Sequence, residues 1–245
     1  MLFKLFPDQP DFHGMKKLTL FLLVLFLAAV TALPQNSARK SVFGVNTGLS
    51  MAYDEFADKT FIYDAGFATM GPDIEAEYLY YGNYFGFSSS IGYASIFFNE
   101  RAYQSEYDGT LNGYGTNEVS AGNYQVLKFL VGFTLKLPEF NHTEVLFLTH
   151  LGYACTIHPD LIVTNSELGV INSMDRDAGG APVANLGVKI NYWLNGRYGV
   201  SLNGSMTLTE PSFYDSTGPG GYFTMPMKYY NVNIDFVINL KSSSL

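Results

Sequence analysis

Residues 229–240, YYNVNIDFVINL, switch between apolar and polar side chains at every step, and this two-residue period constrains the fold more than any other feature. Tyr230, Val232, Ile234, Phe236, Ile238 and Leu240 share one face, and Asn231, Asn233, Asp235 and Asn239 share the other. Successive side chains of a β-strand point to opposite faces, so this segment divides an apolar environment from a polar one. Its length is close to that of a strand crossing a bilayer. The pattern is that of a transmembrane β-strand.

The same period predicts eight strands, at about residues 41–53, 73–81, 85–98, 124–137, 143–155, 184–194, 198–208 and 228–240. The connections alternate long and short. Residues 82–84, 138–142 and 195–197 form the short ones, the last containing the Asn195-Gly196 pair favoured in tight hairpins. All three join an even strand to the next odd one, so in an up-and-down barrel they share one rim and the long connections share the other. Proline cannot donate to a β-ladder, and Pro72, Pro138, Pro159, Pro182, Pro211, Pro219 and Pro226 all fall between the expected strands. Residues 60–70 admit two readings, an extension of the second strand or a separate hairpin.

An inward apolar face would make a lipocalin-like soluble carrier, and the alternation by itself permits that. The minority face argues otherwise. It carries Gly44, Asn46, Gly48, Ser50 and Ala52 in the first strand and Gly86, Ser88, Ser90, Gly92 and Ala94 in the third, with Gly199, Ser201, Asn203 and Ser205 in the seventh. Small residues with almost no Lys or Glu suit the crowded inside of a narrow barrel better than a solvated surface. The opposite faces carry Phe43, Val45, Leu49, Met51 and Tyr53, then Phe85, Phe87, Ile91, Tyr93 and Phe97. Tyr78, Tyr80, Tyr192, Trp193, Tyr198, Tyr229 and Tyr230 lie near strand ends, where an interfacial aromatic girdle belongs. The expected fold class is all-β, an eight-stranded antiparallel up-and-down transmembrane β-barrel.

Lys16 and Lys17 precede an apolar run over residues 18–30, and Val30-Thr31-Ala32 offers small residues where a signal peptidase reads. The run is too short to span as a helix. The expected organisation is a leader over residues 1–32 with Met15 as its natural start, a polar linker over residues 33–40, and a barrel over residues 41–245. The formal net charge is −8, and removing three Lys and two Asp with the leader makes it −9, which argues against a nucleic-acid partner. A single cysteine, Cys155, rules out an intramolecular disulfide framework. Charged residues make up only 15% of a chain with 18 Tyr and 20 Phe, as a large apolar exterior requires.

From the leader onward, GVNTGLSMAY, FGFSSSIGYASIFF and the closing YYNVNIDFVINL resemble the small outer-membrane β-barrel family of Gram-negative bacteria, most closely the porin-like, OmpA-type barrel domains of Bacteroidota. The resemblance covers nearly the whole mature chain. It implies an outer-membrane location with both termini periplasmic and the long loops extracellular. It also implies outer-membrane lipid, lipopolysaccharide and the barrel assembly machinery as partners, for a monomer. Such proteins often end on an aromatic residue, whereas this chain continues past Leu240 through KSSSL.

Glu75, Glu77, Lys128, Lys136, Glu144, His150, Lys189 and Asp235 fall on the expected inner face, with Glu77, His150, Lys189 and Asp235 near mid-height. Charges so confined need partners, and a structural ion-pair network filling the lumen is the simplest reading, ahead of a polar path for small solutes. A lipid A-modifying enzyme is the sharper alternative. It needs a nucleophile and base near the outer rim, and of the histidines only His158 is expected there, with no Ser or Thr at a motif spacing. The long loops concentrate carboxylates, among them Asp54, Glu55, Asp58, Glu100, Glu106, Asp108, Glu118, Asp160, Glu167, Asp175, Asp177, Glu210 and Asp215, without a contiguous calcium-loop spacing. No cofactor or resident metal is expected, nor catalysis; envelope structure, surface binding or limited passage of small solutes is.

Overall fold

The computed structural model describes residues 40–61, 65–110, 115–215 and 221–240. The leader, its cleavage point, the linker through residue 39 and the KSSSL tail after Leu240 lie outside those residues. Eight strands form a closed antiparallel barrel: β1 (Lys40–Ala52), β2 (Met70–Tyr81), β3 (Phe85–Phe97), β5 (Asn123–Lys136), β6 (Thr143–His158), β9 (Asp177–Trp193), β10 (Tyr198–Thr209) and β13 (Met227–Asn239). Each pairs with its sequence neighbour among the eight, and β1 closes on β13 from Val42↔Asn239 to Ala52↔Tyr229. These are the eight strands expected from the alternation.

Short turns follow β2, β5 and β9. The last is closed by a side chain rather than by left-handed backbone: Asn195 Oδ1 accepts hydrogen bonds from the backbone N–H groups of Arg197 and Tyr198, each at 2.8 Å, and Gly196 keeps a negative φ. The long connections carry structure of their own. Helix α1 (Glu100–Thr110) packs its Tyr103 and Tyr107 on a small sheet of β4 (Asn117–Ala121), β7 (Leu161–Asn165) and β8 (Gly169–Met174). The last connection holds the hairpin of β11 (Ser212–Asp215) and β12 (Gly221–Thr224).

The described part of residues 60–70 forms no separate hairpin: Met70 opens β2 and Ala68 bridges antiparallel to Phe98, so the second strand runs a few residues beyond its expected start. After a 3-10 turn at Asp54–Ala57, the described part of the segment folds back, with Ala68 N–H donating to Phe56 C=O at 3.0 Å and Phe56 and Phe67 buried. Two prolines expected between strands lie inside them. Pro72 pairs with Leu49 and Pro182 with Tyr153, each one residue past the last partner on its other side, Asp73↔Ala94 and Val183↔Thr209. Both sit where the ladder has stopped on one flank, which is where a residue lacking an N–H is tolerated.

Along the middle of the eight strands the apolar face points outward. Val45, Leu49, Ile74, Ile91, Val131, Leu151, Leu202 and Ile234 are all exposed, whereas Asn46, Ser88, Asn191, Asn231 and Asn233 are buried inside. A lipocalin-like carrier requires the reverse, so that alternative fails. Small inner residues are a consequence of coiling: an added Cβ at Gly152 would lie 1.8 Å from the Phe129 carbonyl oxygen and one at Gly132 1.9 Å from that of Thr149. Trp193 and Tyr229 depart from the expected girdle, because alternation sends only one of two adjacent aromatics outward. Tyr192 and Tyr230 face out, while Trp193 and Tyr229 turn in and are buried.

Candidate functional site: the sealed lumen

Inside the barrel the side chains form three layers. At the short-turn end Val42, Leu79, Tyr81, Leu146, Leu148, Trp193 and Val237 pack into one apolar cluster. At the long-loop end a larger cluster joins strand residues such as Ile96, Tyr124, Val126 and Met227 to Phe56, Ala68, Phe213 and Met225 from the loops. Polar and charged groups lie between them. A barrel of eight strands is just wide enough for its own side chains to fill.

All eight inner-face ionisable residues named from the sequence are buried, and seven of them fall into three ion-pair groups rather than one. Lys128 pairs with Glu75 at 3.0 Å and with Asp73 at 3.6 Å. Lys189 bonds Glu77 and forms an ion pair with Asp235 at 2.6 Å, linking β9 to β2 and β13. Glu144 belongs to the short-turn end. Its Oε1 accepts from Lys40 at 2.5 Å and Lys136 at 2.7 Å, and its Oε2 accepts from Tyr81 at 2.7 Å and Trp193 Nε1 at 2.8 Å. That carboxylate, itself 0% exposed, draws together β1, β2, β5 and β9. Lys40 and Lys136 also reach Glu139 in the turn, at 3.6 and 3.1 Å.

His150 joins none of the ion pairs. Its Nε2 lies 2.7 Å from Ser88 Oγ and its Nδ1 3.4 Å from Asn185 Oδ1, and Thr134 Oγ1 donates to Ser88 at 3.2 Å. A Ser-His-Asn order of this kind is the skeleton of a hydrolytic site. Here all three side chains are buried between the apolar layers. The arrangement satisfies buried polar groups in the lumen.

Asp73, Lys40, Glu139 and the Ser88–His150–Asn185 chain are functional neighbours that the sequence reading misses. Asp73 opens the second expected strand two residues before Glu75, so its inward parity was legible, but a residue at a strand end is as readily assigned to the rim. His158, expected in a loop, is the last residue of β6 and points inward. Its Nδ1–H donates to the Pro159 carbonyl at 2.8 Å, and its ring meets Tyr124, Phe213 and Phe223 edge-on at 5.3–5.7 Å. It closes the long-loop end of β6, and burial pulls its pKa below the ordinary histidine value. Cys155 is exposed on the outer wall. Among the described residues no three His, Cys, Asp or Glu side chains gather as a metal site, the loop carboxylates included.

No family model matches the chain, and no curated protein matches it. Solved structures similar to it include a major outer membrane protein from Thermus thermophilus, at 11% identity and a TM-score of 0.47, covering 82% of this chain and 99% of that one. Neisserial surface protein A is similar at 5% identity and a TM-score of 0.45, over 83% and 99% of the two chains. The outer membrane protease OmpT from Escherichia coli is similar at 7% identity and a TM-score of 0.40, over 84% and 97%. The barrel topology of this chain stands on its own register of paired strands.

Proposed function

We propose that the chain is a non-enzymatic outer-membrane β-barrel that anchors a folded loop platform at the cell surface, contributing to envelope structure and surface binding. One observation carries the reading. Among the described residues the outer wall of the eight strands bears a single charged side chain, Lys228 at its upper end, while the Lys, Asp, Glu and His side chains of the strands otherwise face the lumen. A wall of that kind is stable against hydrocarbon and not against water, because charges on a lipid face cost several kcal/mol at mid-bilayer. Both termini then lie on the periplasmic side with the short turns, and α1 with the β4–β7–β8 sheet lies outside. Two apolar seals make passage of solutes secondary to binding.

The test is the gel mobility of the protein extracted from outer membrane in mild detergent, compared unheated and boiled. A heat-dependent shift is expected of a closed, detergent-resistant barrel. Soluble periplasmic protein without a shift sinks the reading. Surface binding is tested by removing residues 99–122, which deletes α1 and β4; the heat shift is expected to persist while attachment to a surface ligand is lost.

A further inference from the structure

We infer that the outer face of the β11–β12 hairpin is a docking site for a neutral glycan on an external surface, bound through Tyr214 and Tyr222. The inference goes beyond the platform reading above: it rests on the outer-membrane placement and not on α1. The hairpin is a leaf with two unlike faces. Its register pairs Ser212 with Thr224, Phe213 with Phe223 and Tyr214 with Tyr222. Side chains alternate, so the two Phe fall on one face and the two Tyr, with Ser212 and Thr224, on the other. Phe213 is fully buried in the loop-end seal, and both Phe rings meet His158 edge-on. The tyrosine face therefore turns away from the lumen, with Tyr214 48% and Tyr222 81% exposed.

That face stands clear of lipid. Tyr214 N–H donates to Asp177 Oδ2 at 2.5 Å, which fixes β11 against the top of β9. Asp177 lies six residues beyond Val183, where the β9–β10 ladder ends. Six residues of strand span about 20 Å. An interfacial girdle belongs level with the ladder ends, so two rings at this height are no part of it.

The chemistry of the face suits a pyranose, whose ring offers a C–H face and a rim of hydroxyls. Tyr214 and Tyr222 meet at 64° with centroids 5.4 Å apart, so neither ring lies flat over the other. An uncovered ring accepts the C–H face, while Ser212, Thr224 and the half-buried Asp177 at the hairpin's edge are partners for the hydroxyls. Charge selects among glycans. The long connections carry thirteen carboxylates against the cations Lys59, Arg101 and Arg176, so a sulfated or phosphorylated chain is repelled and a neutral one is not. The face is turned from the barrel mouth to the medium, so its glycan comes from outside rather than from lipopolysaccharide packed around the wall.

The probes are the neutral tetrasaccharides of glucose, galactose and mannose, read by saturation-transfer NMR on the full mature protein in phosphatidylcholine nanodiscs free of glycoside detergent. Binding of at least one is expected, with Tyr222→Ala weakening it about tenfold and Tyr222→Phe, which keeps the ring, less than about threefold. The heat shift is expected to be unchanged in both, since the ring is exposed. Bound sugar is also expected to slow proteolysis of the loops, because the same two strands carry Phe213 and Phe223 into the seal. No binding of any of the three, binding that survives Tyr214→Ala with Tyr222→Ala, or tighter binding of dextran sulfate overturns the site. Unchanged proteolysis at saturating sugar would place the ligand off the hairpin and overturn it too. Competition by lipopolysaccharide from the same outer membrane would put the sugar in the surrounding leaflet and overturn the external source. Removing residues 99–122 is expected to leave sugar binding intact, so a failed platform and a failed hairpin site are told apart.

Discussion

The two ends of the lumen are closed by different means. At the short-turn end the apolar seal is made wholly by barrel strands, and Glu144 binds it together through four donors. At the long-loop end, Phe56, Ala68, Phe213 and Met225 arrive from loops and cover strand residues beneath them. One seal is part of the wall; the other is a cover resting on it. Openings on biological timescales draw on elements with few long-range ties to the core, so any opening belongs to the loop end.

Four experiments would break or sharpen that contrast. Glu144→Ala is expected to have the largest effect, about 3–5 kcal/mol, because it leaves Lys40, Lys136, Tyr81 and Trp193 without their shared acceptor. Urea unfolding in detergent would show it as a loss of the heat-resistant band at lower denaturant. Phe213→Ala removes a fully buried ring from the cover, at a local cost of about 3 kcal/mol. The barrel should stay heat-resistant while protease cleaves the loops faster and single-channel conductance appears. Equal loss of the barrel in this variant would show that the cover is as integral as the other seal.

Trp193→Phe keeps an aromatic ring and deletes one N–H donor to Glu144, for a loss of about 2 kcal/mol. The smallest effect is expected from pH. Burial holds the His158 pKa below its unfolded value, so the neutral ring's contribution is whole above about pH 6.5 and is lost as the pH falls through the folded value. Loop proteolysis should quicken on acidification while the barrel is unaffected, and His158→Phe should flatten the profile. A pH-dependent barrel with protected loops would place the sensitivity at the wrong end.

What the sequence disclosed follows the length of its periodic segments. Runs of 12–17 residues alternate long enough to be recognised, and all eight barrel strands were legible from them. The five-residue β4 and β7 were not, since so short a run cannot be told from a loop and its pairing is set by contacts distant in sequence. Parity was underused at Tyr192-Trp193 and Tyr229-Tyr230, where adjacent aromatics had to divide between the faces. Residue spacing placed Glu77, Lys189 and Asp235 at one height but carried no information on which strands become neighbours across the interior. The Ser88–His150–Asn185 chain spans three strands and leaves no local motif.

The Lys189 contacts also bear on how the barrel is put together. Glu77 comes from β2, early in the chain, and Asp235 from β13, the last strand to be delivered. A slip of one residue in β13 would turn Asp235 toward hydrocarbon and carry Val232, Ile234 and Phe236 into the lumen. The error would expose a carboxylate to lipid and halve the anionic company of Lys189 at once. Lys189 on β9 thus ties the register of β13 to that of β2 across the lumen.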